Sequence, residues 1–375
     1  MKVLNITTHL NSGGITVYIL RLVDELRSLG IEYSVLSSGG NYESFFRDKN
    51  CPLHTVDIKT KNAFHPKIFL AIPKVIKIIK KENYDIIHAH TRVAQVLSFF
   101  IQRFIKIPVV TTAHGFYKVN LGRRILPAWG DYCIAISDPV AKELIAQMKT
   151  KEEKIRLIHN AVDMPEIEKQ FHLATAQKIS QKKTYGFEDS DKVLGVVARL
   201  VKDKGHEYLL EAFRNMIEKI PSLKLLIVGD GREFDAINFF VKKNGLEDKI
   251  KLTGNISNVP QALSAIDIFV FPATWREGFG LSIVEAMACE KPVIVTDIWA
   301  LNSWIENKKT GLLIAPKDPK AIEDAVLFLL NNPKLRDEIG KNAKELVIAK
   351  FTLPRMAREV KRVYNEALTA QKASL

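Results

Sequence analysis

The segment Glu277-Gly278-Phe279-Gly280-Leu281-Ser282-Ile283-Val284-Glu285 sets two carboxylates around a glycine-relieved turn at the start of a helix. The run before it, Ile266 to Pro272, is apolar and strand-like, and Leu281 to Cys289 after it has helical spacing and small residues. Glu277 therefore falls at the carboxyl end of a strand, where open parallel sheets bind ligands. Glycines at 278 and 280 let backbone come close to a ligand, and the free N–H groups of the helix start suit an anion. Glu285 is farther along the helix, and its side chain leans back toward the same end. Two acceptor-only carboxylates beside an anion site suit a polyhydroxylated phosphate ester, with hydroxyls for the carboxylates and phosphate for the amides. The plain alternative is a strand-loop-helix with two solvated glutamates.

A second segment argues against that alternative. Residues 193–205 read Val-Leu-Gly-Val-Val-Ala-Arg-Leu-Val-Lys-Asp-Lys-Gly, a buried-strand pattern ending in Arg199, then a loop with Lys202 and Lys204 before an amphipathic helix, His206 to Ile220. Arginine forks onto phosphate and lysine adds a point charge, so Arg199 and Lys204 form a candidate diphosphate clamp. Either cation alone would be an ordinary solvated residue.

Alternating strand and helix signals position these groups and predict an α/β chain of doubly wound parallel sheets. Strands are expected at Lys2 to Thr8, Glu32 to Ser37, Asp85 to Ala89, Pro108 to Thr112, Tyr132 to Ile136 and Ile155 to His159. A second set of six is expected at Val193 to Ala198, Leu223 to Val228, Ile250 to Leu252, Ile268 to Pro272, Val293 to Thr296 and Gly311 to Ile314. The polar stretch Met164 to Lys192 lies between the sets, and the interdomain link is expected near Met164 to Glu168. Leu353 to Leu368 reads as an amphipathic helix, and residues 369–375 are expected to fray.

Ala198-Arg199-Leu200 with Lys204-Gly205, Val228-Gly229-Asp230-Gly231, Phe271-Pro272 and the Glu277 to Glu285 spacing resemble glycosyltransferase family 4, retaining enzymes of GT-B fold. Ser12-Gly13-Gly14, Asp85-Ile86-Ile87-His88-Ala89-His90, Thr112-Ala113-His114-Gly115, Ala135-Ile136-Ser137 and Asn160-Ala161-Val162-Asp163 extend the likeness through the first half, in the correct order. The resemblance implies two Rossmann-like domains facing a central cleft. Residues 1–165 would form the acceptor-side domain, joined by a crossing helix at about 353–368, and residues 166–352 would bind the nucleotide sugar. It implies a hexosyltransferase that moves a sugar from a UDP-, GDP- or ADP-sugar to an acceptor hydroxyl, with retention and no obvious protein nucleophile. Cell-envelope glycan, glycolipid or polysaccharide synthesis is the expected setting, with a glycan or lipid-linked acceptor.

Arg199 and Lys204 would stabilise the leaving diphosphate, Glu277 would accept from the transferred sugar, and Glu285 would accept from ribose. The donor-binding set is then Gly13, Gly14, Arg199, Lys204, Glu277, Gly278, Phe279, Gly280, Leu281 and Glu285. Gly13-Gly14 lies after the first strand and before a helix at Tyr18 to Leu29, but it is not a GxGxxG fingerprint, so a dinucleotide cofactor is disfavoured. In the resembling family this loop approaches the donor diphosphate, whereas a plain tight turn would need no ligand. His114 follows the apolar strand Val109 to Thr112, and the resemblance places it by the transferred sugar, bonded to a hydroxyl or to developing charge. The catalytic set is thus His114, Arg199, Lys204 and Glu277.

His88 and His90 read as strand-end residues pointing to opposite faces, poor joint metal ligands, with a structural role for one of them. Asp189-Ser190-Asp191 could pass for a metal-binding DxD, but it precedes a strand and reads as a solvated turn. No metal is expected, because Arg199, Lys204 and helix N-termini can neutralise a diphosphate. Two departures from the family pattern stand out. Ile298-Trp299-Ala300-Leu301-Asn302-Ser303 replaces a glycine pair followed by Pro and Glu, and Glu290 stands where glycine is usual.

The net charge of +13 is uneven: residues 1–165 carry 23 Lys and Arg against 14 Asp and Glu, and the rest carry 32 against 28. Basicity is densest in Lys67 to Lys81 and recurs at Lys106, Lys118, Arg123 and Arg124. Such a segment can lie on an anionic leaflet, or it can be an ordinary helix with a solvated lysine face. Nucleic acid is not an expected partner, since no recognition motif with interleaved aromatics accompanies the charge. No apolar run reaches membrane-spanning length, the N-terminus reads as a strand, and Cys51, Cys133 and Cys289 are isolated. A cytoplasmic protein, peripheral on the inner face of the membrane, is expected. Two readings of other classes stand beside this one: a nucleotide-sugar epimerase of similar fold, and a non-catalytic basic binder of membrane or nucleic acid.

Overall fold

A computed structural model describes residues 1–117, 121–148, 150–176 and 180–373. The chain forms two compact units, Met1–Asn160 with Leu353–Leu375, and Ala161–Thr352. Lys118, counted above among the basic residues, lies outside the described residues.

The first unit holds seven parallel strands: β1 Lys2–Ile6, β2 Glu32–Ser37, β3 Leu53–Thr55, β4 Ile86–Ala89, β5 Val109–Ala113, β6 Tyr132–Ala135 and β7 Ile155–Leu157. Their order is β3-β2-β1-β4-β5-β6-β7, so the winding reverses between β1 and β4. The central strands are buried along almost their whole length, the polar Asn5, His88, Thr111 and Thr112 included. β3 has no counterpart among the expected strands. Its three residues, with His54 in the middle, are too few to show a pattern, and pairing with β2 (Val35 against Leu53) defines it.

The second unit holds six parallel strands: β8 Lys192–Val197, β9 Leu223–Val228, β10 Ile250–Leu252, β11 Ile268–Phe271, β12 Val293–Thr296 and β13 Leu312–Ile314. All six expected strands form, in the order β10-β9-β8-β11-β12-β13, with the reversal between β8 and β11. Its core joins Leu194, Val196, Leu225, Ile227, Ile268 and Val270 of the sheet to Leu209 and Phe213 of the helix His206–Met216. The segment Met164 to Glu168, expected as a link, is instead the start of the helix Met164–Thr175 within the second unit. Asp163 makes this possible: its carboxylate accepts from the Glu166 N–H at 3.1 Å, and Pro165 suits the first turn.

The C-terminal helix spans Leu353–Ala373 and belongs to the first unit. It buries Leu353, Met356, Ala357, Val360, Val363, Tyr364 and Ala367, a single apolar stripe. Three polar ties fix it there: Lys361 Nζ donates to the Leu29 carbonyl (2.7 Å), Arg156 Nε to Glu366 (2.7 Å), and Tyr364 Oη meets His88 Nδ1 (2.7 Å). The helix runs past Leu368 because Ala370 and Ala373 favour it and Thr369 Oγ1 donates back to the Asn365 carbonyl.

The lysine-rich segment is the helix Pro66–Glu82. Its stripe of Ile68, Ala71, Ile72, Val75 and Ile79 is buried in the core of the first unit, and it packs on the helix Arg92–Ile101. The isoleucines are therefore unavailable to a membrane. Lys74, Lys77, Lys80 and Lys81 are exposed, and Leu70, 77% exposed, lies with the exposed Phe69 near the helix start. Arg123 does not belong to the basic surface: it is buried, with its guanidinium 4.3 Å from the Tyr117 ring centroid.

Candidate functional site

In the second unit, the expected site residues gather at the carboxyl ends of β8 and β11, on either side of the winding reversal. Arg199 follows β8 and is exposed. Beyond it a short 3-10 turn, Lys202–Lys204, leads through Gly205 into the helix His206–Met216. Gly205 has φ 67°, and a Cβ there would lie 2.0 Å from the Pro272 carbonyl oxygen just past β11. The contact is sealed by the Thr274 N–H donating to the Asp203 carbonyl at 2.9 Å. With the two loops held this closely, Lys204 Nζ forms an ion pair with Glu277 Oε2, both side chains being mostly buried. Lys204 Nζ also sits 4.9 Å from the Phe271 ring centroid.

The other oxygen of Glu277 accepts from the N–H groups of Gly278 (2.9 Å) and Phe279 (3.4 Å). Those two amides are thus turned onto the protein's own carboxylate. The helix Leu281–Ala288 starts from Gly280 at φ 87°, and the amides of Leu281 and Ser282 meet no acceptor among the described residues. Glu285 is half-buried in the second turn of this helix. The Phe279 ring is buried against Trp304 (5.7 Å between centroids) and Phe351 (5.3 Å).

The loop that departs from the family pattern follows β12. The Asp297 N–H donates to the Ile314 carbonyl (2.7 Å) and Asn302 Nδ2 to Asp297 Oδ1 (2.6 Å), while Leu301 is fully buried near Gly280. Glu290 takes φ 58°, the backbone state for which glycine is the easier residue, and its carboxylate pairs with Lys344 at 3.0 Å. The Asp189-Ser190-Asp191 turn is only half solvated. Asp189 is exposed, but Asp191 is buried and accepts from the Glu188 N–H at 2.8 Å, closing the turn before β8.

In the first unit, Gly13 is the N-cap of the helix Gly14–Ser28, which starts four residues before the expected Tyr18. A cavity of about 590 Å³ opens beside it, bounded by Thr7, Thr8, Gly13, Gly14, Lys59, Lys61 and Thr91 among others. Lys59 and Lys61 were not legible as site residues, since nothing around them marks a loop that folds back toward Gly13. His114 follows β5 and is half-buried, with Tyr18 edge-on at 4.7 Å.

His88 and His90 point to the same side, contrary to expectation, because residues two apart on a strand share a face. Their ring centroids are 4.1 Å apart. Every ring nitrogen of the pair is occupied: His88 by Tyr364 Oη and Thr112 Oγ1 (2.7 Å each), His90 by His114 Nε2 (3.2 Å) and Asn5 Oδ1 (3.0 Å). Neither ring has a lone pair free for a metal. Burial holds the three imidazoles neutral: it pulls His88 and His114 down to about 3, and it drives His90 well below the usual value, with His88 and His114 adding to the effect. Asn5 was missed as a partner of this cluster. A lone Asn inside Val-Leu-Asn-Ile was the available signal, since a buried amide must find partners.

Two family models match the chain, "Glycosyltransferase Family 4" over residues 12–165 and "Glycosyl transferases group 1" over residues 177–346. N-acetyl-alpha-D-glucosaminyl L-malate synthase of Bacillus anthracis is 27% identical over 98% of each chain. A glycosyltransferase structure from Rickettsia africae aligns with TM-score 0.86 at 24% identity, over 98% of both chains. The Anabaena HepE structure in complex with UDP aligns with TM-score 0.82 at 20% identity, over 98% of this chain and 100% of that one. The chain belongs to glycosyltransferase family 4, and its two parallel-sheet units are those of a GT-B-type glycosyltransferase.

Gly205→Ala should be disruptive out of proportion to its size, because a methyl group has no room against the Pro272 carbonyl and φ 67° disfavours it. A loss of about 1–3 kcal/mol is expected, seen as a lower midpoint in thermal denaturation. An unchanged midpoint would show that the two loops are not held together as described.

Proposed function

We propose that the chain transfers a sugar from a nucleotide diphosphate sugar to an acceptor hydroxyl, with retention of configuration at the transferred carbon. One observation carries this reading: Arg199, Lys204 and Glu277 converge at the ends of β8 and β11 beside the open amides of Leu281 and Ser282. Cationic groups and amides at a switch point suit a diphosphate, and the carboxylates suit hydroxyls. The UDP bound by the HepE neighbour supports a donor of this kind. In this reading Arg199 and Lys204 stabilise the charge that develops on the leaving diphosphate, the term expected to be largest in such a transfer. Glu277 holds Lys204 and accepts from hydroxyls of the transferred sugar, and Glu285 accepts from ribose. From the first unit, His114 acts on the sugar and the Gly13-Gly14 loop on the diphosphate. No protein nucleophile takes part.

Substituting Arg199→Ala or Lys204→Ala should each lower turnover by two or more orders of magnitude with the fold retained, equivalent to about 2.7 kcal/mol of barrier. The donor for this assay is chosen by thermal-shift screening of UDP-, GDP- and ADP-sugars. Near-normal turnover in both variants would remove the clamp from the mechanism.

The transfer needs no metal ion in this reading, because fixed cations and amides supply the neutralisation. Activity should therefore persist in excess EDTA. Complete loss, restored by magnesium or manganese, would overturn it.

The acceptor is a glycan or lipid-linked molecule, met by the first unit at the inner face of the cytoplasmic membrane. No helix among the described residues is long and apolar enough to cross a membrane, so the contact would be peripheral. The exposed lysines 74, 77, 80 and 81, with Phe69 and Leu70 near the helix start, are the surface that supports it. Binding to anionic vesicles should exceed binding to neutral ones and fall with salt, each exposed lysine contributing about 1 kcal/mol. Reversing the four charges should weaken vesicle binding and leave nucleotide binding unchanged. Equal affinity for neutral and anionic vesicles would point to a soluble acceptor.

A further inference from the structure

The buried cluster of the first unit contains a chain of hydrogen bonds whose direction can be deduced from one end. The Ser34 carbonyl can only accept, and Asn5 Nδ2 lies 3.3 Å from it, so the Asn5 amide is oriented with its nitrogen toward Ser34. Its oxygen is then the atom facing His90 Nε2 at 3.0 Å. That oxygen is also only an acceptor, so His90 must carry its proton on Nε2. A neutral imidazole has one N–H, which leaves His90 Nδ1 as a bare lone pair. The atom opposite, His114 Nε2, lies 3.2 Å away and must therefore be the donor. His114 is neutral as well, so its Nδ1 carries no proton. That nitrogen has no partner among the described residues, and the ring is half-buried.

We propose that Asn5 and His90 are positioning residues that lock His114 in the Nε2–H tautomer, so that Nδ1 is offered outward as a hydrogen-bond acceptor. For the reaction, and resting on the transfer proposed above, this makes His114 a group that takes a hydrogen bond from a hydroxyl. It cannot donate one to a phosphate oxygen. Burial of all three rings supports the assignment, since a neutral ring is what gives each bond a single direction. Tyr18, edge-on to His114 at 4.7 Å, restrains the ring without competing for a nitrogen.

The test is spectroscopic and needs no substrate, so it stands or falls separately from the transfer reading. The full chain is labelled with ¹⁵N-histidine, and long-range proton–nitrogen correlations are recorded at pH 7, with His114→Gln giving the assignment. His114 should show one protonated nitrogen, Nε2, and one bare nitrogen, Nδ1, with His90 showing the same pattern. A proton on His114 Nδ1, a doubly protonated ring, or averaging between the two tautomers in the unmodified chain would overturn the proposal. Asn5→Leu removes the acceptor that sets the direction. In that variant the distinct nitrogen signals of His114 should move toward each other as the second tautomer becomes populated, while circular dichroism reports the same fold. An unchanged His114 pattern in folded Asn5→Leu would show that Asn5 does not set the tautomer.

Discussion

The close approach of residues 203–205 to residues 272–274 is the constraint on which the second unit's site depends. A single backbone hydrogen bond and a glycine with no room for a Cβ bring the loop after β8 against the end of β11. Parallel strands at a winding reversal leave a crevice because the connections leave on opposite sides. Here the first loop is drawn back across that crevice, which is why a lysine from one strand end can reach a glutamate from the other. Without that contact, Lys204 and Glu277 would be two solvated charges at neighbouring strand ends.

The resulting ion pair is better understood as a positioning device than as a source of stability. Both side chains are mostly withdrawn from water, so the cost of desolvation cancels much of the attraction. What the pair does achieve is direction. Glu277 spends one oxygen on Lys204 and the other on the Gly278 and Phe279 amides, which fixes its carboxylate plane. The turn into the helix Leu281–Ala288 is set by the same contacts, and the aromatic packing of Phe279 on Trp304 and Phe351 anchors it from below.

Much of this was legible in the sequence because parallel strands announce themselves as apolar runs, and residues just beyond such runs are placed by topology. Arg199, Glu277 and His114 are of this kind. What escaped the sequence depends on contacts between distant segments. β3 exists only by pairing with β2, and the Met164 helix depends on its Asp163 cap. Phe279 reads as a loop residue until Phe351, far along the chain, packs on it. The error over His88 and His90 was of another sort: strand periodicity alone puts residues two apart on one face, and their shared side was open to inference.

The two units bring opposite kinds of chemistry. The second concentrates fixed charge, with Arg199, Lys204, Glu277 and Glu285 around one switch point. In the first, the groups around the ends of β1, β4 and β5 include threonines, glycines and three neutral imidazoles tilted against one another. The separation of ring centroids, 4.1 Å between His88 and His90 and 5.4 Å between His90 and His114, means that a proton on any ring would disfavour one on the next. Burial opposes charge on all of them independently. Part of the basic character of this unit lies on its exterior, in the solvent-facing lysines 74, 77, 80 and 81 of the helix Pro66–Glu82. Its interior supplies donors and acceptors whose directions are set by backbone carbonyls. In the transfer proposed above, such groups would discriminate hydroxyls by geometry, whereas the charged crevice of the second unit would answer mainly to the charge of the diphosphate.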